Sequence, residues 1–202
     1  SGRYGDRPAG KMTSGSPGLS IIVHQTAPIR LTYDDAKKFD EFAREKGFDD
    51  ALVQHQDRGL PLSKITERYQ RYAKSLIAVG GPEKIGAGQD RHLGLAIELV
   101  AEANPYQWPP LQSMPVRLYA DGEPLANAQI TVFTRHNPRH VEKAKYQTDK
   151  DGRSNFLVLA GRDYLVDSVI LRPMDGAIES SDAMWESIWA SLTFQVPANP
   201  KM

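Results

Sequence analysis

The sequence predicts a mainly β protein with a helical segment: an antiparallel β-sandwich preceded by a small α+β region. Three observations predict it. Between Asp121 and Val169 apolar and polar residues alternate, with Ile130, Val132 and Thr134 on one side, which is the period of a half-buried strand. The dipeptides Asp121-Gly122 and Asp151-Gly152 stand where adjacent antiparallel strands must reverse. From Arg91 onward, seven short runs separated by turn signals fill about a hundred residues, which is the arithmetic of an immunoglobulin-like sandwich.

The elements follow in order. Residues 1–18 are rich in Gly, Pro and basic side chains without apolar period, so they read as a loop or frayed arm, with Ser14 to Gly18 a turn. Leu19 to His24 and Ile29 to Tyr33 are short β-branched runs and read as strands. The period then becomes helical. Thr32 with Asp35 forms a capping box, and Ala36, Phe39, Phe42 and Ala43 make one apolar face that ends at Gly47. A second helix, capped by Asp49 or Asp50, carries Ala51, Leu52 and Val53 and stops at Gly59 and Pro61. Ser63 with Glu67 opens a third, with Ile65, Tyr69, Tyr72, Ala73 and Leu76 on one stripe, although Ser75 to Val79 reads equally as a strand. Gly80 to Asp90 is the linker between an N-terminal region (1–80) and a sandwich domain (91–197). In the latter the expected strands are Leu93 to Val100, Val116 to Ala120, Ala128 to Arg135, Lys145 to Thr148, Ser154 to Leu159, Tyr164 to Leu171 and Ala190 to Val196.

Composition narrows the function. With 25 Lys plus Arg against 25 Asp plus Glu, no net field draws the chain to nucleic acid or anionic lipid. No run approaches the ~20 apolar residues that span a bilayer, so direct membrane insertion is not expected. With no cysteine among 202 residues, disulfides, thiolate metal sites and Cys nucleophiles are excluded together. The chain opens on Ser-Gly, which fits a processed or engineered N-terminus and leaves room for a secretory leader removed earlier.

The candidate chemical residues are few. His136 and His140 lie close in HNPRH, and with Glu142 they are the candidate metal ligands; the alternative is an exposed cationic hairpin tip with Arg135 and Arg139. DKDG, Asp149 to Gly152, opens like a calcium loop but lacks flanking helices and a closing Glu, so it reads as a turn. Arg68, Arg71 and Lys74 beside Tyr69 and Tyr72 suit an anionic small ligand, or else rim an amphipathic segment. Trp108, Trp185 and Trp189 are either stacking platforms or core, with Trp185 the expected exposed member. Clefts favour domain junctions, which adds His92, just past the linker, to the ligand candidates Arg71, Lys74 and Trp185. No phosphate cradle or Gly-x-Ser-x-Gly elbow occurs, and Glu98 with Glu102 fits no hydrolase geometry, so the chain reads as a non-enzyme.

Five collinear blocks carry a resemblance: ERYQRYAKSLIAVG from Glu67, HLGLAIELVAEANPY from His92, MPVRLYADGEPLANAQITVF from Met114, TDKDGRSNF from Thr148 and WESIWASLTFQV from Trp185. Over about residues 5 to 197 the chain resembles a bacterial domain-of-unknown-function family of periplasmic proteins labelled nickel-uptake, substrate-specific proteins. Its central block also looks like transthyretin-like and carboxypeptidase-regulatory sandwiches. The resemblance implies a periplasmic, non-catalytic binding protein for a small ligand or a transition metal such as nickel or cobalt, with a membrane transport component as partner. Members typically begin with a His-containing β segment that has no match here, which points to a truncated or shortened relative. Two other readings stay open: a structural, carbohydrate- or protein-interaction sandwich, and an enzyme whose catalytic groups lie in that missing part.

Overall fold

The computed structural model describes residue 13 and residues 16–80, 88–174 and 182–198. Most of the expected N-terminal arm and the middle of the expected linker lie outside the described residues. The chain runs β1 (Gly18–Gln25), β2 (Ile29–Asp35), α1 (Ala36–Glu45), α2 (Ala51–Asp57), β3 (Ser63–Val79), β4 (Ile97–Ala101), β5 (Ser113–Ala120), β6 (Glu123–Pro124), β7 (Gln129–Asn137), β8 (His140–Gln147), β9 (Arg153–Leu157), β10 (Arg162–Pro173) and β11 (Trp185–Val196). The two helices and the strands expected on either side of the linker are present, with shifted ends. The fold is a β-sandwich with a small helical segment.

The larger sheet has seven strands in the order β1-β3-β11-β10-β7-β8, with β2 also on β3; the smaller has β4-β5-β6, with β9 on β5. All pairings are antiparallel except β3 with β11, which run parallel from Glu67 beside Trp185 to Ser75 beside Thr193. Strands from both sides of residue 80 therefore share one sheet. The main core lies between the sheets, where Tyr72, Leu76, Val132, Val166 and Leu192 of the larger meet Leu99, Val116, Leu118 and Phe156 of the smaller.

The segment from Ser63 is not a helix. It is the 17-residue strand β3. Its apolar residues change sides along its length: Ile65 belongs to the cluster under the helices, whereas Tyr72 and Leu76 face the main core. That change from odd to even positions breaks the alternation of a strand and imitates helical spacing.

The helices cover one end of the outer face of the larger sheet. Asp35 is the N-cap of α1, its Oδ1 accepting from the Lys38 amide at 3.0 Å. Phe39 and Ala43 of α1 are then buried with Ala51 of α2 against Ile65, Leu171 and Trp185. Burying Phe39 fully contributes roughly 1.5–3 kcal/mol. The Asp149 to Gly152 segment is a turn, as expected. Asp149 Oδ1 accepts from the amides of Asp151 and Arg153 at 2.9 and 2.8 Å, and Gly152 has φ +73° with the Leu118 carbonyl 2.7 Å from where a Cβ would sit.

Lys74 interrupts the core face of β3 with a charge. Its ammonium lies 2.8 Å from Asp90 and 2.8 Å from Glu98, all three side chains being almost wholly buried, and it donates to the Arg91 carbonyl at 3.1 Å. The carboxylates are satisfied further by backbone amides: Glu98 by Leu93, Gly94 and Leu95, Asp90 by Arg91 and Ala101. Lys74→Met leaves two buried carboxylates without their cation, and urea denaturation is expected to show a loss of about 3–5 kcal/mol.

Candidate functional site

Alternation along β3 sets Glu67, Tyr69 and Arg71 on its outer face. Register places Leu31 of β2 beside Glu67, and Ser187 and Trp189 of β11 beside Tyr69 and Arg71. Above them α1 contributes Phe42, whose ring stacks on Tyr33 at 5.9 Å and on Trp189 at 5.8 Å. These side chains enclose a cavity of about 230 Å³ lined by Leu31, Tyr33, Phe42, Glu67, Tyr69, Arg71 and Trp189.

Its floor and mouth carry opposite charges. Glu67 is buried, at 2% exposure. Tyr33 and Ser187 hydrogen-bond to the carboxyl, while Oε2 has no hydrogen-bond partner. Burial pushes the Glu67 carboxyl up to about 7, against the hydrogen bonds from Tyr33 and Ser187 and the Arg71 charge, which pull it down. Burial, then the nearby Glu67 charge, raises the Tyr33 hydroxyl well above its ordinary range. Arg71 is exposed at the mouth, with its guanidinium 4.8 Å over the Trp189 ring and 5.6 Å over Tyr69. Lys46, just beyond α1, lies 4.6 Å over Trp189 and is anchored by Asp167 at 2.8 Å.

Farther along the same face a wider groove of about 780 Å³ opens, with Ile77, Phe133, Val141 and Leu165 in its lining. Its polar groups satisfy one another. Arg135 pairs with Asp163 at 2.9 Å, Gln195 donates to Asp163 at 3.0 Å, and Ser75 meets Thr193 at 2.7 Å.

The residues singled out from sequence are dispersed. Arg71 is at the pocket mouth. Lys74 and His92 both reach Glu98, but Lys74 is buried in the core clamp, whereas His92 is exposed, its Nε2 3.6 Å from Glu98 and its ring stacked 4.3 Å from Tyr119. Trp185, expected at the surface, is 1% exposed; helices α1 and α2 cover it, it donates to His55 Nδ1 at 3.0 Å and it packs 5.3 Å from Phe39. His136 and His140 are exposed on the β7–β8 hairpin, with His140 3.4 Å from Glu142. Among the described residues no three His, Asp or Glu side chains gather as a metal site. Sequence reasoning missed Glu67, Tyr33, Phe42 and Trp189 as a group. The signal was the Glu-x-Tyr-x-Arg alternation of residues 67–71, visible only once that segment is read as a strand.

Residues 6–170 match the model of a family described as Domain of unknown function (DUF4198). The chain belongs to that family. Neither the curated proteins nor the solved structures include a match to this DUF4198 chain.

The pocket predicts a pH signature in this DUF4198 protein. The folded-state proton affinity of Glu67 exceeds that of a carboxyl in the unfolded chain, so stability falls as pH rises from about 4.5 through about 7, and the full cost is present above that range. Glu67→Gln removes the ionisation. Thermal unfolding is expected to show it more stable than wild type at pH 8 by on the order of 2 kcal/mol, with the gain vanishing near pH 4.5.

Proposed function

We propose that this chain is a non-catalytic periplasmic binding protein that holds a small ligand in the pocket between Glu67 and Arg71. The observation that carries the reading is the unpartnered Oε2 of Glu67. Buried polar atoms in folded proteins nearly always have a hydrogen-bond partner, and Glu67 is among the residues that line the cavity. The site also lies where the helical segment meets the sandwich, the place that domain junctions favour for ligands. The non-catalytic reading rests on the sequence, which carries no nucleophile elbow and no phosphate cradle. The periplasmic location, and a membrane transport component that receives the ligand, rest on the family resemblance.

Two narrower readings have their own supports. A transition-metal cargo such as nickel or cobalt rests on the resemblance and on His140 beside Glu142 in the hairpin with His136. An interaction module rests on the groove, around which Ile77, Val141 and Leu165 are exposed.

A thermal-shift screen of small metabolites, Ni²⁺ and Co²⁺ separates them. The pocket reading expects a small-molecule shift that Glu67→Gln and Arg71→Ala abolish and that His136→Ala with His140→Ala leaves intact, amounting to about 2.7 kcal/mol at a hundred times Kd. A shift with metal alone, reversed by chelator and lost in the double histidine variant, replaces it with the metal reading.

A further inference from the structure

Within the proposed pocket, Glu67 and Arg71 carry opposite charges and do not neutralise each other. Among the described residues Arg71 forms no ion pair; ring contacts with Trp189 and Tyr69 hold its guanidinium, and its charge reaches Glu67 only through space. The strand explains the gap. Four residues at ~3.3 Å each separate the two Cα atoms by about 13 Å, and the Tyr69 ring stands between them. A buried carboxylate with one oxygen lacking a donor and a guanidinium without an acceptor therefore line the same small aromatic chamber.

We infer that the ligand is a small zwitterion, an ammonium carboxylate, whose cationic end pairs with the Glu67 carboxylate and whose carboxylate is held by Arg71 at the mouth. This rests on the pocket being the binding site, and it deepens that reading by naming a ligand class. The arrangement selects against each alternative. A simple cation must pass Arg71 and Lys46, both positioned over Trp189, before it meets Glu67. A simple anion satisfies Arg71 but faces a carboxylate at the floor. A neutral donor such as a sugar hydroxyl leaves the buried Glu67 charge uncompensated, which is costly away from water. A zwitterion answers both charges at once. The volume of about 230 Å³ sets the scale. That lies at the small end of ligand pockets, which suits a compact amino acid.

Binding is coupled to a proton. The groups facing Glu67 are Tyr33 from β2, Arg71 from β3 and the hydroxyl of Ser187 from β11, while α1 presents the apolar Phe42 and Lys46 stands beyond it over Trp189. The ammonium end requires the ionised carboxylate, so below about pH 7 Glu67 must first release its proton.

The test is calorimetric titration of the full chain with glycine, β-alanine and γ-aminobutyrate, which space their charges progressively, and with propionate and propylamine as the separate halves. At pH 8 at least one zwitterion is expected to bind tenfold or more tighter than either half. Glu67→Gln and Arg71→Gln are each expected to weaken it at least tenfold, and wild-type affinity to fall about tenfold per pH unit below 7. Arg71 is exposed, so its substitution spares the core and keeps the test valid should Glu67→Gln fail to fold. If propionate or propylamine binds as tightly as the zwitterions and depends on Glu67 or Arg71, the ligand class is wrong while the pocket stands. If no zwitterion binds, the inference is overturned. Should the thermal-shift screen also yield no ligand that depends on Glu67 or Arg71, the pocket reading falls with it.

Discussion

A buried ammonium ion governs how the two sheets meet. Lys74 spends its three protons on Asp90, Glu98 and the Arg91 carbonyl, so every donor it has is used inside the protein. Since β3 belongs to the larger sheet and Glu98 to β4 of the smaller, the clamp crosses the sandwich and draws in the segment from Asp90 to Leu95. Two carboxylates against one ammonium leave an excess negative charge, and five backbone amides turned toward it supply the compensation. Such a cluster is weak evidence for stability but tolerates little displacement, because any slippage of β3 strands a charge in the core. By holding β3 at Lys74 it also holds residues 67–71, one turn of the pleat away from the pocket.

The outer face of the larger sheet divides into a covered and an open half. The helices seal Trp185 and Ile65, while Ile77 and Leu165 stay at the surface. The pocket occupies the margin of the covered half, where aromatic rings are supplied from above by Phe42 and from the sheet by Tyr69 and Trp189. A margin of this kind excludes enough water to lift a carboxyl's proton affinity and still leaves a guanidinium in solvent. Folding alone gains nothing from an unpaired carboxylate oxygen at such a place, and residues that break local rules tend to mark function.

Much of the fold is legible in the chain because the strands after Arg91 are set off by clear turn signals and several, such as β5 with Met114, Val116 and Leu118 buried, alternate against the main core. The Asp-Gly turns are legible for a related reason: Gly152 takes a positive φ where a neighbouring carbonyl leaves no room for a Cβ. The segment at β3 misleads because it serves two cores on opposite faces and carries a buried Lys at a core position, so neither period persists long enough to decide. Trp185 misleads through the helices, whose docking on the outer face depends on contacts such as its bond to His55, 130 residues away in sequence. The candidate site was legible only as Arg71 and its tyrosines. Its other members come from β2, α1 and β11, and only tertiary packing brings these together.

The parallel pairing of β3 with β11 has a consequence for how the chain is made. Arg68 and its neighbour Glu186 are 118 residues apart, and a parallel pair has no hairpin to bring it together. At a synthesis rate of ≈ 5–20 residues per second, the β11 edge of β3 waits on the order of ten seconds for its partner. During that interval a long strand rich in tyrosine and isoleucine presents unpaired amides and carbonyls to whatever is nearby. The newborn protein is thus vulnerable to mispairing until β11 emerges, and the ribosome or a holding chaperone has a defined stretch, Glu67 to Ser75, to shield.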